Sequence, residues 1–211
     1  MNFWGGVTNA PPLPTLDRAG GNRWTAYNWE NNASNAGSDY LYQNDNYLCT
    51  TSGCDRPGET IRRGVSDSFA HGASIAVTVP MAGYVSADAR GGGDVRGSGA
   101  DYLRTRFRAS VARKGSTFTL TPDTSDANVY QDEFVNWVER TFPRATDAAS
   151  PRVFYELDNE PDLWSSTHAE IHPAAVRYDE LVRRSTELAT ALKSVAPTAL
   201  VFGPVSYGWN G

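Results

Sequence analysis

The chain has 211 residues, 40% of them hydrophobic and 20% charged, which suits a single domain, or a large part of a bigger one, with a sizeable core. A formal net charge of −5 excludes a sequence-independent grip on nucleic acid, which needs a basic face. No apolar run approaches the length of a membrane span. The amino-terminal MNFWGGVTNAPPLP lacks the basic and apolar regions of a signal peptide.

In chain order, GGNRWTAYNWENNASNAGSDYLYQNDNYL is rich in Asn, Gly, Trp and Tyr, a composition that opposes helix and suits a strand end opening into a long structured loop. Cys49 and Cys54 are the two cysteines; their spacing is compatible with a small disulfide loop in an exported protein or with two unlinked thiols. DSFAHGA predicts a short helix over 67–73, and the β-branched run from Ile75 to Val79, closed by Pro80, predicts a strand. ARGGGDVRGSGA reads as a surface loop, and the basic run from Arg104 to Lys114 as a solvated face. Val129, Tyr130, Phe134, Trp137 and Val138 recur at helical intervals, with Asp126 as the expected cap.

RVFYELDNEPDLW is an apolar run that meets Asp158, Asn159, Glu160 and Pro161. Beyond it, Tyr178, Leu181, Val182, Leu188, Leu192 and Val195 fall on one face of a helix ended by Pro197. ALVFGPVSYGW then predicts a last strand. The second half therefore alternates strand and helix, as a parallel α/β sheet does. Polar and aromatic residues gather at the carboxyl ends of the strands, where a (β/α) barrel builds its active site. We expect a TIM-like (β/α)8 barrel, of which residues 1–211 supply an incomplete N-terminal portion of about five strands.

A carboxyl at a strand's carboxyl end, walled by aromatics, is partly desolvated and suited to general-acid work. Glu160 fits that role, and Asn159 beside it can offer an amide to a substrate hydroxyl. Trp164, Tyr155, Tyr207 and Trp209 supply flat faces on which sugar rings stack. The plainer reading is a strand-to-turn transition, since Asp, Asn and Pro all favour turns. His168 and His172 in HAEIH imitate a zinc motif, but the Glu is misplaced and Pro173 puts the stretch before the helix.

Three segments, RAGGNRWTAYNWENNASNAGSDYLYQNDNYLC, FYELDNEPDLW and PTALVFGPVSYGWNG, resemble glycoside hydrolase family 44, the endoglucanases and xyloglucanases. The resemblance implies a secreted, retaining β-1,4-glucan hydrolase with a TIM-like barrel and an attached small β-domain. It makes Glu160, after strand four, the acid/base and Asn159 its sugar-hydroxyl partner. Arg23, Tyr27, Trp29, Trp164, Tyr207 and Trp209 are candidate substrate contacts; for Arg23 a structural salt bridge weighs equally, and for Tyr27, Trp29 and Tyr40 cleft lining and loop packing are even. The chemistry requires no cofactor. The family also holds structural metal, calcium in particular, at a site the sequence does not assign.

Retention needs a second carboxylate about 5 to 5.5 Å from the first. In the family it follows strand seven, and no equivalent position is present in this sequence. Asp158 would stand roughly 6.6 Å from Glu160 along one strand and cannot flank the same bond; Glu156 fails for the same reason. Asp39, Asp88 and Glu30 lie in other loops that nothing in the sequence places. The chain alone is therefore expected to be inactive, its partners being a β-glucan and either the missing barrel half or a dimer mate, with no nucleic acid or membrane. A non-catalytic carbohydrate-binding protein or an inactive fragment is the competing expectation.

Overall fold

The computed structural model describes residues 14–143, 145–147 and 149–208. Its centre is a parallel sheet of four strands among the described residues, β1 (Leu16–Ala19), β4 (Ser74–Val79), β8 (Val153–Leu157) and β9 (Val201–Phe202), lying side by side in sequence order. The sequence suggested about five. β2 (Ser34–Asn35) and β3 (Asn44–Asp45) form a small antiparallel ladder between β1 and α1 (Glu59–Ala70). β5 (Tyr84–Ser86), α2 (Tyr102–Arg106), β6 (Phe107–Val111) and β7 (Asn128–Tyr130) follow β4, with their three strands in a separate sheet. α3 (Gln131–Thr141) leads into β8, while α4 (Trp164–Thr167) and α5 (Tyr178–Val195) separate β8 from β9.

The alternation of side chains along a strand assigns the two sheet faces. Ile75, Val77 and Val79 of β4 and Val153, Tyr155 and Leu157 of β8 are buried in the core that also holds Ile61 and Val65 of α1, Phe134 and Val138 of α3 and Leu192 of α5. The opposite face carries Leu16, Arg18, Ala76, Phe154, Glu156 and Phe202, which line one open cavity. Strands β1, β4 and β8 are in register through Arg18, Ala76 and Phe154, with Thr78 opposite Glu156 two residues on.

Several local expectations change. The helix expected over 67–73 begins at Glu59. Ile61, Val65 and Phe69 give it an i, i+4, i+8 stripe, but Gly64 in its middle weakens the propensity signal. Glu59 is buried under Arg62, Arg63 and Arg56, whose hydrogen bonds and charge hold its carboxyl down at about 2. Val129 and Tyr130 belong to β7 rather than to the helix that follows, and the Asp126 carboxylate accepts the Asn128 N–H instead of capping α3. The basic run is not merely a solvated face: Arg106 is buried and pairs with Asp88 at 2.9 Å, and β6 runs through Phe107. On α5, Leu188 and Leu192 are buried as the periodicity predicts, while Tyr178 and Val182 face outward.

Glu30, in the loop after β1, is buried among carboxylates. Burial, then Asp126 and Glu133, push its carboxyl up to about 8 against the opposing charge of Lys114. The folded chain therefore keeps a proton that the unfolded chain releases near its ordinary value of 4.5. The linked stability is complete below that pH and is lost as pH rises through the folded value. Glu30→Gln should flatten this decline: thermal melts of EDTA-treated protein should show the variant gaining ~5 °C or more on the parent between pH 5 and pH 8.5. Parallel profiles would refute the assignment.

Candidate active site

β8 stays regular to Leu157 and then bends. Asp158 and Glu160 adopt left-handed backbone, φ 54° and 45°, a conformation that costs a non-glycine residue of order 1 kcal/mol or more and must be held by its surroundings. The holding group is Asp158 itself. Fully buried, it accepts hydrogen bonds from Thr25 Oγ1 at 2.6 Å, Asn159 N at 2.7 Å, Met81 N at 2.5 Å and Ala82 N at 2.9 Å. Burial pushes its carboxyl up to about 6, these donors opposing the rise. The ends of β4 and β8 and the turn after β1 are thereby tied to one side chain.

The Glu160 N–H donates to Val205 O at 2.7 Å, and Asn159 bridges Val205, so the segment after β9 lies beside the bend. That approach requires glycine at 203: φ is +106°, and a Cβ there would sit 3.3 Å from Leu157. Pro161 opens a 3-10 turn over Pro161–Leu163, since its ring presets φ and it needs no amide partner. The Glu160 carboxyl is left part-buried at the carboxyl edge of the sheet, with Oε2 accepting the Asn159 Nδ2–H at 3.0 Å. Behind it, Arg18 Nη2 donates to Asn159 Oδ1 at 2.9 Å, while Arg18 Nε donates to both Glu156 oxygens. The sequence offered no sign of Arg18, because it reaches Glu156 and Asn159 only through the pairing of β1 with β4 and of β4 with β8.

The other candidates divide. Tyr27, Trp29 and Trp164 are each no more than 1% exposed; they are core, and their faces are not available to a sugar. Trp164 instead donates its indole N–H to Asn159 O at 3.0 Å, bracing the bend from behind. Trp164→Ala should therefore act first on stability, costing ~3–5 kcal/mol in a urea titration; an unchanged midpoint would contradict this. Tyr155 is buried too, its hydroxyl bound to Glu139. Arg23 is 5% exposed and paired with Asp45 at 2.6 Å rather than with an active-site carboxylate. Tyr207 is 70% exposed, and its N–H donates to Asp162 in the turn after Glu160. Trp209 lies outside the described residues.

An open groove of about 610 Å³ is lined by Arg23, Asp39, Tyr40, Asp45 and Tyr47 among others. Tyr40 and Tyr47 are exposed, and the Arg23 guanidinium lies 4.3 Å beneath the Tyr47 ring. The loop carrying these residues is joined to the segment after Glu160 by Tyr42 Oη, which donates to Ser166 O at 2.9 Å. Tyr40, for which cleft lining and loop packing weigh equally in the sequence, is exposed in this groove; Tyr47 beside it carried no signal that set it apart from the tyrosines that pack.

Cys49 and Cys54 are joined in a disulfide. His168 and Glu170 form a buried pair at 2.6 Å, and His168 Nε2 donates to Asn22 O; burial opposes the imidazolium, but Glu170 outweighs it and raises His168 overall. His172 binds Glu180 instead, so the two histidines do not converge. Among the described residues no group of three or more His, Cys, Asp or Glu side chains is placed to hold a metal ion. No helix among them is long and apolar enough to cross a membrane.

A carboxyl and an amide side by side at the carboxyl edge of a parallel α/β sheet are groups that glycoside hydrolysis uses. Known proteins agree. The profile of glycoside hydrolase family 44 matches residues 33–211, and the chain belongs to that family. It is 42% identical over 198 residues to endoglucanase A of Paenibacillus lautus, a match covering 92% of this chain and 28% of that protein. Against the β-mannanase/endoglucanase A of Caldicellulosiruptor saccharolyticus, 41% identity over 199 residues covers 92% and 15%. A Paenibacillus polymyxa family 44 xyloglucanase, solved with xyloglucan, superposes with a TM-score of 0.84 at 46% identity, over 92% of this chain and 38% of that one. The chain thus spans well under half the length of these relatives.

Proposed function

We propose that this chain carries the acid/base side of a secreted, retaining endo-β-1,4-glucanase built on a (β/α)8 barrel, within which residues 1–211 form the N-terminal part. The observation that carries the reading is the Glu160 carboxyl, part-buried at the sheet's carboxyl edge, with Oε2 occupied by the Asn159 amide. Oε1 is then the oxygen that delivers a proton to the leaving glycosidic oxygen and later takes one from the attacking water. The second Asn159 N–H binds a ring hydroxyl of the sugar undergoing cleavage. The tyrosine-lined groove holds further sugar units of a cellulose-, xyloglucan- or mannan-type chain, substrates consistent with the names of the relatives.

The nucleophile comes from outside the described residues. Glu156 is locked to Arg18 and Thr78, Asp88 to Arg106 and Arg90, and Glu30 is buried with its carboxyl held protonated toward neutral pH. The test uses the complete gene product on cellulose derivatives, xyloglucan and mannan. We expect viscosity to fall ahead of reducing-end release, and proton NMR to show the β anomer as the first product. The α anomer appearing first would overturn retention. Tight glucan binding with no new reducing ends would favour a non-catalytic carbohydrate-binding protein instead.

A further inference from the structure

Glu156 is 6% exposed, in the middle of β8, on the opposite face of the strand from Tyr155 and Leu157. A buried carboxylate is tolerated only when paired and hydrogen-bonded. Here Arg18 Nε reaches its two oxygens at 3.0 and 2.9 Å, and Thr78 Oγ1 donates to Oε2 at 2.9 Å. To arrive there Arg18 crosses β4 over Ala76, its register partner, whose small side chain leaves the path open.

The consequence lies two bonds further on. With Nε committed to Glu156, the planar guanidinium has one orientation, and Nη2 meets Asn159 Oδ1 at 2.9 Å. A guanidinium only donates, so the atom facing it must be the amide oxygen. The amide nitrogen then faces the other way, toward Glu160 Oε2 at 3.0 Å. Turned over, the amide would set N–H against N–H at Arg18 and oxygen against oxygen at Glu160.

We propose that Glu156 is a positioning residue: by holding Arg18 it fixes which way the Asn159 amide faces, and so aims one N–H at Glu160 Oε2 and the other at the substrate. The proposal rests on the reading of Glu160 as the acid/base. Glu156 touches neither the reacting atoms nor the sugar, and acts through Arg18 and Asn159 alone.

The test is a double-mutant cycle in the complete gene product, with steady-state kinetics on an unactivated β-1,4-gluco-oligosaccharide. Glu156→Gln should lower kcat by about 10- to 100-fold, the cost of a misaimed group, with KM little changed. In an Asn159→Ala background the same substitution should cost less than about 2-fold further, because the residue through which it acts is gone. Thr78→Val, which removes a single donor to Glu156, provides a milder variant: a loss of ~3-fold that also vanishes in the Asn159→Ala background. Losses that multiply in the double variants, or an unchanged kcat in Glu156→Gln, would overturn the proposal. Glu160→Gln is run alongside. If it turns over normally, the acid/base reading has failed; if it is inactive while Glu156→Gln is normal, only the present inference has.

Discussion

Glu160→Gln in the complete gene product should reduce turnover of an unactivated β-1,4-glucan by roughly 10²- to 10⁴-fold, the range of a lost general acid, while glucan affinity holds. The substitution keeps the side chain's size, and Glu160 is only part-buried, so the fold has little to lose. Glu160's own contacts to the bend are backbone ones, from Glu160 N to Val205 O and from Leu163 N to Glu160 O, and a glutamine leaves both intact along with the Asp158 network. What disappears is the carboxyl group on which the proposed acid/base role rests. Oligosaccharide kinetics beside a calorimetric titration of binding would separate the two quantities. Undiminished turnover would remove Glu160 from the chemistry, and with it the function proposed for this chain.

The second large effect concerns stability. Asp158→Ala should lower the free energy of unfolding by ~3–5 kcal/mol, since a buried network loses its acceptor. Each carboxylate oxygen takes two donors: Thr25 Oγ1 and Asn159 N on one, Met81 N and Ala82 N on the other. Three backbone N–H groups would be left in the core with no partner, and each such orphan costs on the order of 1–3 kcal/mol. Asp158→Asn should fare little better. Whichever way its amide turns, an NH2 group faces two donors. Urea unfolding followed by tryptophan fluorescence measures this directly, and an asparagine variant as stable as the parent would show that the network does not bear on the bend.

Both effects come from residues two apart in one tetrapeptide, yet the sequence distinguished them only in part. It located the bend, because an apolar β-branched and aromatic run broken by Asp, Asn and Pro has few other readings. It did not assign Asp158 its part. That depends on Thr25, Met81 and Ala82, which lie 133, 77 and 76 positions away along the chain and meet the carboxylate only when β1, β4 and β8 are side by side. Arg18 escaped notice for the same reason. Its distance to Glu156 is a property of register, and register between parallel strands joined by long crossovers leaves no local trace.

The aromatic residues make the same point in reverse. The sequence offers Trp164 and Tyr155 as flat faces for a sugar, and Tyr27 and Trp29 as cleft lining or loop packing with equal weight. Burial decided otherwise, because large rings offer the most apolar area for filling the space beneath the loops. The rings left exposed by the groove are Tyr40 and Tyr47, in the same loop and of the same composition. Composition by itself cannot separate a ring that packs from a ring that binds.

What the sequence determined by itself was therefore whatever is encoded locally: the β4 and β8 strands through their β-branched runs, the buried end of α5 through its period, and the Asn-Glu-Pro bend through its backbone preferences. The tertiary structure decided what depends on packing across the sheet: which carboxylate is locked and which is left part-exposed, which aromatics are core, and how an amide is turned. Hydrogen bonds between distant strands and burial are sums over the whole fold, and no window of sequence contains them.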